Sequence, residues 1–293
     1  MSKSTAPRPI APEVFRTWLP PRRPEASKGD FGSVGILGGA PGMAGAGLLA
    51  ARAALLLGAG RVYCALLDTR VAVDFQHPEI MIAKPETVLD LPTPACLVVG
   101  PGLGRASAAR QWLEAALAGE QPLILDADAL NLLALDPQLA QTLRARAAPT
   151  LLTPHPGEAG RLLGLDSAAI QADRPGRLRQ LVETYHADVV LKGSGSLIQA
   201  YGGMPWRNAS GNPGMAAPGM GDVLTGMIAA LVAQGLELEQ AARFGVWLHG
   251  AAGDDLVADQ VGPLGLTASA VAERARRLLN AWVNPGKACR NAP

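Results

Sequence analysis

Aromatic side chains make up only 4% of this sequence. A chain so poor in Phe, Tyr and Trp offers little as a stacking platform for single-stranded nucleic acid. Charge is also scarce, at 17% of residues, and balanced: 26 Lys and Arg against 25 Asp and Glu, a net charge of +1. That balance supplies no basic footprint for nucleic acid or an anionic membrane. The three cysteines, Cys64, Cys96 and Cys289, are odd in number and far apart. No C-x-x-C and no Cys/His cluster points to zinc. Cys64 and Cys96 lie in apolar runs and read as buried free thiols, the pattern of a reducing, cytoplasmic compartment. Each long apolar run is broken by Gly, Arg or Asp, so none reads as a membrane span. The opening stretch, MSKSTAPRPIAPEVFRTWLPPRRPE, lacks a continuous apolar core and is not a signal peptide.

What the chain does have is apolar residues, 48% of its 293, and 34 glycines. The length allows one large α/β domain or two small ones. Residues 1–28 read as a partly extended leader and 285–293 as a tail. Between them, short apolar runs alternate with Ala/Leu-rich segments. Strands are predicted at 32–38, 61–67, 95–100, 122–128, 148–154, 187–193 and 196–202. Helices are predicted at 44–60, 107–119, 139–147, 222–234, 238–256 and 267–283. Strand–helix alternation favours a mostly parallel sheet with helices on both faces. Ligands of such sheets bind at the carboxyl ends of the strands, where this chain concentrates its Gly-rich and polar residues.

Five motifs follow strands. GGAPGMAGAG (38–47) is a glycine-rich turn into a helix, suited to close approach of an anionic ligand. Asp68 after the next strand invites a dinucleotide-fold reading, but the glycines are out of register for G-x-G-x-x-G. GPGLG (100–104) is a second such turn. In LILDADALNLL (123–133), Asp126 and Asp128 end a strand. They could hold a Mg²⁺–phosphate complex, or Asp128 could cap a helix starting at Ala129. In TPHPGEAGRLLG (153–164), His155 is held extended between two prolines, and Glu158 sits in the first helical turn. His77, His186 and His249 have no such setting. In VVLKGSGSLI (189–198), Lys192 and the turn after it make a phosphate cradle or a plain hairpin turn. It is not a Walker A loop.

The sixth motif is NPGMAAPGMGDVLTG (212–226). Asp222 follows a loop of Gly, Pro and Ala and precedes an apolar helix. It reads either as a helix cap or as a base beside an anion hole of free N–H groups.

Taken in order, KGDFGSVGILGG, GAGRVY, HPEIM, GPGLG, LDADALN, TPHPGE, LKGSGSLI, NPGMAAPGMGDVLTG and WLHGAAGD resemble the ADP-dependent NAD(P)H-hydrate dehydratase family of the ribokinase-like superfamily. The resemblance covers about 28–284 and implies a three-layer α/β sandwich, with the domain at 29–284. It implies repair of the S epimer of hydrated NADH or NADPH, driven by ADP (or ATP) going to AMP and phosphate, with Mg²⁺. Ala46, Gly104, His155, Asp222 and, with less weight, Asn131 would contact the hydrated dinucleotide. Lys192, Gly193, Ser194, Gly195, Ser196 and Gly221 would hold the nucleotide. Asp222 would be the base, and Gly219 and Gly221 the anion hole. Glu158 is a lesser candidate for placing substrate or Mg²⁺. The metal ligands are not specified. A homo-oligomer, often a tetramer, is implied, and a stand-alone dehydratase working beside a separate epimerase. The alternative is a small-molecule kinase of the same superfamily, acting on a vitamin precursor. This chain departs from many relatives at Pro218, where Gly is common, at Met220, where Ser or Thr is common, and at Ser196, where Thr is frequent.

Overall fold

Val, Ile and Leu runs bounded by Gly, Pro or Asp pair side by side because both of their faces are covered. The computed structural model describes residues 6–284, so the tail at 285–293 and Cys289 lie outside the described residues. Ten strands form one sheet: β1 (Arg8–Pro9), β2 (Ser33–Gly38), β3 (Arg61–Leu66), β4 (Met81–Ile82), β5 (Ala95–Val99), β6 (Leu123–Leu125), β7 (Thr150–Leu152), β8 (Asp188–Leu191), β9 (Leu197–Gln199) and β10 (Trp206–Arg207). Their spatial order is β1-β10-β9-β8-β7-β6-β5-β2-β3-β4. From β8 to β4 every pairing is parallel. β9 runs antiparallel to both β8 and β10.

The helices are α1 (Ala44–Leu56), α2 (Pro85–Leu89), α3 (Ser107–Ala118), α4 (Asp128–Leu135), α5 (Pro137–Ala145), α6 (Pro156–Leu163), α7 (Ser167–Ala172), α8 (Arg174–Tyr185), α9 (Met220–Ala233), α10 (Leu238–Ala258) and α11 (Ala268–Val283). The period-two alternation of the strands sorts the core into two layers. Ile36, Cys64, Val98 and Ile124 pack with α1, α9, α10 and α11 on one face. Leu37, Ala65, Val99 and Leu125 pack with α2 to α8 on the other. This is the expected sandwich. Burial pushes the Cys64 thiol up to about 12, and Cys96 is also raised, so both are inert core residues.

The differences from the predicted elements have local causes. The helix read within 44–60, with Gly58 and Gly60 as its stops, ends at Leu56, just before Gly58 turns to φ +94°. The strand predicted over 196–202 ends at Gln199, where a turn with Gly202 at φ +73° begins. The strand predicted over 122–128 keeps three residues, although the Asp126 N–H still bonds to the Val99 carbonyl at 3.1 Å. The leader docks on the domain. Its β1 lies beside β10, and Phe15 stacks on Phe244 of α10 at 4.8 Å between centroids.

Candidate active site

Sheet order decides which motifs meet. The strands β8, β7, β6, β5 and β2 are consecutive neighbours and all parallel, so the KGSGS turn, TPHPGE, DAD, GPGLG and the first glycine loop stand in a row at one sheet edge. The ladder continues one residue past the strands: Thr153 N–H donates to Leu125 O at 3.1 Å and Lys192 N–H to Pro154 O at 2.8 Å. Asp126, Thr153 and Lys192 therefore become lateral neighbours. The Lys192 ammonium lies 2.6 Å from Asp126 Oδ1, and the Thr153 hydroxyl donates to the same oxygen at 2.8 Å. Glu158 Oε2 lies 3.8 Å from the ammonium.

The start of α9 closes on this ion pair. Gly219, at φ +84°, is the N-cap residue, and the helix begins at Met220. Asp222 therefore sits in the first turn and not at the cap, and its carboxylate makes no cap bond. The first helical bond comes from Val223 N–H to Gly219 O, so the N–H groups of Met220, Gly221 and Asp222 have no backbone acceptor. Gly221 is required by proximity: a Cβ there would stand 3.0 Å from Lys192 Nζ and 3.4 Å from Asp126 Oδ2. Burial pushes the Asp222 carboxyl up to about 7, helped by the Asp126, Glu158 and Asp128 charges and opposed by Lys192. Burial also raises Glu158, with Lys192 opposing. Met220 is buried in the α9 core layer, an environment that suits an apolar residue.

His155 does two things. Its Nδ1 accepts the N–H of Gly157 at 3.0 Å and of Glu158 at 3.3 Å, capping α6. Its backbone N–H donates to Glu158 Oε2 at 2.8 Å. An accepting Nδ1 assigns the proton to Nε2. Burial, then the Lys192 and Arg161 charges, lower its pKa, which keeps the half-exposed ring neutral. Glu158 completes a capping box with His155 and borders the ion pair.

Asp128 corrects the reading that it caps a helix starting at Ala129. The N-cap of α4 is Ala127, and no side chain caps that helix. Instead Asp128 Oδ2 accepts the Gly104 N–H at 2.8 Å, because the GPGLG turn crosses over the start of α4. Asn131 Nδ2 donates to Asp128 Oδ1 at 3.2 Å, and Arg161 Nε donates to Asn131 Oδ1 at 2.7 Å. Asn131, expected to contact substrate, thus has both amide atoms engaged within the protein. The chain Arg161–Asn131–Asp128–Gly104 ties three motifs together. A Cβ on Gly104 would lie 3.4 Å from Ala40 Cβ, and one on Gly102 would lie 3.0 Å from Ala46 Cβ, so the two glycine loops touch near Ala46. Asp68 is occupied by the Arg70 guanidinium at 2.7 and 2.8 Å, which leaves no carboxylate for a ribose.

The residues fall into two groups. A cavity of about 610 Å³ is lined by Lys192, Gly193, Ser194, Gly195, Ser196 and Gly221, together with Arg207 and His249. Ala46, Gly104, Asn131 and His155 do not line that cavity and follow strands β2, β5, β6 and β7, while Asp222 adjoins it beside Gly221. His249 is buried, and burial followed by the Lys192 charge pushes it down to about 4. Its place in the cavity, like that of Arg207, was not expected from sequence, nor were the bonds of Thr153 to Asp126 and of Arg161 to Asn131. Thr153 had a usable signal, a hydroxyl one step past a buried strand; Arg207 had none.

Comparison with known proteins gives this arrangement a family. The sequence model of the NAD(P)H-hydrate dehydratase family matches residues 34–276. The ADP-dependent (S)-NAD(P)H-hydrate dehydratase of Neisseria meningitidis is 40% identical over 273 residues, covering 92% of this chain and 90% of that protein. The bifunctional NAD(P)H-hydrate repair enzyme of Coxiella burnetii is 43% identical over 271 residues, 89% of this chain and 53% of that enzyme, so the chain spans about half the length of that relative. The crystal structure of the ADP/ATP-dependent NAD(P)H-hydrate dehydratase from Bacillus subtilis, co-crystallised with ATP and Mg²⁺, has a TM-score of 0.81 at 28% identity, over 95% of this chain and 100% of that one. The chain has the ribokinase-like α/β sandwich and belongs to the NAD(P)H-hydrate dehydratase family.

Proposed function

We propose that this protein is an ADP-dependent (S)-NAD(P)H-hydrate dehydratase that restores hydrated NADH and NADPH. The observation that carries the reading is Asp222: a carboxylate with no hydrogen-bond partner, pushed up to about 7, between a nucleotide-sized cavity and the substrate motifs. A base poised near the working pH is well matched to taking a proton from a hydroxyl. Asp222 removes the proton of the ring hydroxyl as the β-phosphoryl group of ADP moves onto that oxygen, releasing AMP. The C–O bond then breaks and phosphate leaves with its electron pair, the adjacent ring carbon loses a proton to solvent, and the C–H electrons form the C=C bond that restores the reduced ring. The N–H groups of Gly219, Gly221 and Asp222 and the Lys192 ammonium stabilise the charge on the phosphoryl oxygens. Positioning and charge stabilisation are what phosphoryl transfer needs most. Ala46, Gly104 and His155 border the hydrated dinucleotide, with Asn131 acting through Asp128.

The donor set fits a Mg²⁺ ion that arrives on the nucleotide and is not caged by the protein. No three metal-ligating side chains converge among the described residues, as is usual for phosphate-borne Mg²⁺. Asp126 Oδ2, near Gly221 and without a hydrogen-bond partner of its own, could hold it. When bound, the ion neutralises phosphoryl charge. A cytoplasmic location, a homo-oligomer such as a tetramer, cooperation with a separate epimerase and a domain at 29–284 belong to the same proposal. No helix among the described residues is long and apolar enough to cross a membrane.

The test is to incubate hydrated NADH with Mg²⁺ and either ADP or ATP and to follow the dihydronicotinamide absorbance. Recovery dependent on nucleotide is expected. No recovery with either nucleotide, with phosphorylation of a stable alcohol instead, would place the chain among the kinases. The Gly104 tether adds a sharper expectation. Asp128→Ala removes a charge-assisted hydrogen bond of about 1.5–3 kcal/mol. The KM for the hydrated dinucleotide is expected to rise roughly tenfold or more on that basis, with the KM for ADP unmoved. Steady-state kinetics with each substrate varied checks this, and equal changes in both constants would contradict it.

A further inference from the structure

Lys192 is already committed to Asp126 and Glu158 at the substrate end of the nucleotide cavity. Another cation, Arg207, lines the same cavity. The Arg207 guanidinium lies over the KGSGS turn, with Nε 3.0 Å and Nη2 3.3 Å from the position of a Cβ on Gly195. Behind the same turn, Arg174 donates to the carbonyls of Leu191 at 3.2 Å, Lys192 at 3.4 Å and Gly195 at 3.4 Å. With carbonyls drawn towards Arg174, the N–H groups of Gly193, Ser194, Gly195 and Ser196 are left without backbone acceptors. Neither guanidinium has a carboxylate partner among the described residues. The cavity lining contains no Asp or Glu. Two like charges near one another, four amides without backbone acceptors and no acid make this part of the cavity electropositive and suited to an anion, although Arg207 itself is exposed.

We propose that Arg207 is a phosphate ligand of the bound nucleotide, gripping oxygens that rest on the Gly193–Ser196 amides and making the cavity select nucleoside phosphates over the nucleoside. Arg174 is the positioning residue that holds the turn open for them. The inference rests on the nucleotide-dependent reading above. A guanidinium suits the role because its planar fork can meet two phosphate oxygens at once, which an ammonium cannot.

Calorimetric titration of ADP and adenosine into wild type, Arg207→Gln and Arg207→Lys tests it. Arg207→Gln is expected to weaken ADP by roughly ten- to hundredfold, the size of one charge-assisted hydrogen bond, and to leave adenosine unchanged. Arg207→Lys should fall between, keeping the charge without the fork. The unliganded Arg207→Gln protein should melt no lower than wild type, since its removal relieves Arg174, while the ADP-induced rise in melting temperature shrinks. If wild type binds no nucleotide, the functional reading fails and this inference with it. If wild type binds ADP and Arg207→Gln binds it equally, the Arg207 assignment alone fails. Equal loss of adenosine and ADP would make Arg207 a wall of the cavity and would also overturn it.

Discussion

Asp222→Asn is expected to lower kcat by about 10²–10⁴-fold and, at pH 8, to raise the melting temperature. The two effects come from one cause. Asparagine matches the shape of the side chain but cannot accept a proton, so the hydrated dinucleotide still binds and turnover fails. For stability, the folded-state pKa near 7 stands above the ordinary value of 3.8. The folded protein therefore holds a proton that the unfolded chain has released. Stability falls as pH rises from about 4 to about 7, and by pH 8 a buried carboxylate faces Asp126 and Glu158 unprotonated. Asparagine removes that cost and flattens the pH dependence. A capping role demands a different outcome, with activity retained, since asparagine caps well. Steady-state kinetics with calorimetry at pH 5 and pH 8 checks both halves. An active variant, or one less stable than wild type at pH 8, would contradict the assignment. A site that gains stability when its function is removed is the usual sign of an active-site compromise.

Lys192→Met should produce the opposite change in stability. It leaves Asp126 and Glu158 facing one another without the cation between them. Breaking a buried pair by removing one partner costs about 3–5 kcal/mol. Burial alone would lower the Lys192 pKa, but the Asp126 and Glu158 charges overcome it and the net shift is upward. The contribution of Lys192 is thus complete below the ordinary lysine value and is lost only as pH rises past the folded one, so the ammonium stays charged between pH 5 and 8. Any pH dependence of the variant in that range comes from the carboxylates. Glu158 and Asp222 are already raised, and without the ammonium they rise further. The destabilisation should be largest at pH 8 and smaller at pH 5, where those groups take up protons. Urea unfolding at both values measures it, and an equal loss at both would show that Lys192 does not hold the carboxylates together. Turnover should vanish as well, because the same ammonium faces the transferred phosphoryl group.

Much of this was legible in the sequence because the strands are apolar runs punctuated by Gly or Asp. The long helices α9, α10 and α11 appear within two residues of where their periodicity puts them. The edge strands β1 and β4, and β10 beside β1, were not legible: two-residue pairings are decided by a distant partner and not by local pattern. The site divides in the same way. Lys192, Gly221, Asp222 and His155 could be found because each follows a strand or opens a helix in an unusual run of glycines or prolines. What sequence could not give was the direction in which side chains point. Asp128 looked like a cap or a phosphate ligand, and it reaches instead for the Gly104 amide 24 residues earlier in the chain. Asn131 looked free and is held from both ends. Arg207 ends a strand too short to be recognised, so its position over the KGSGS turn is visible only once β9 and β10 are paired.

On this mechanism Asp222 takes the proton of the ring hydroxyl, the oxygen accepts the phosphoryl group, and that oxygen leaves as part of phosphate. Hydrated NADH carrying ¹⁸O in that hydroxyl tests this most directly. After turnover with ADP and Mg²⁺, mass spectrometry of the released phosphate should find the label there, one oxygen per NADH restored. Label appearing in water, with unlabelled phosphate, would mean that the hydroxyl departs without being phosphorylated and would contradict the mechanism.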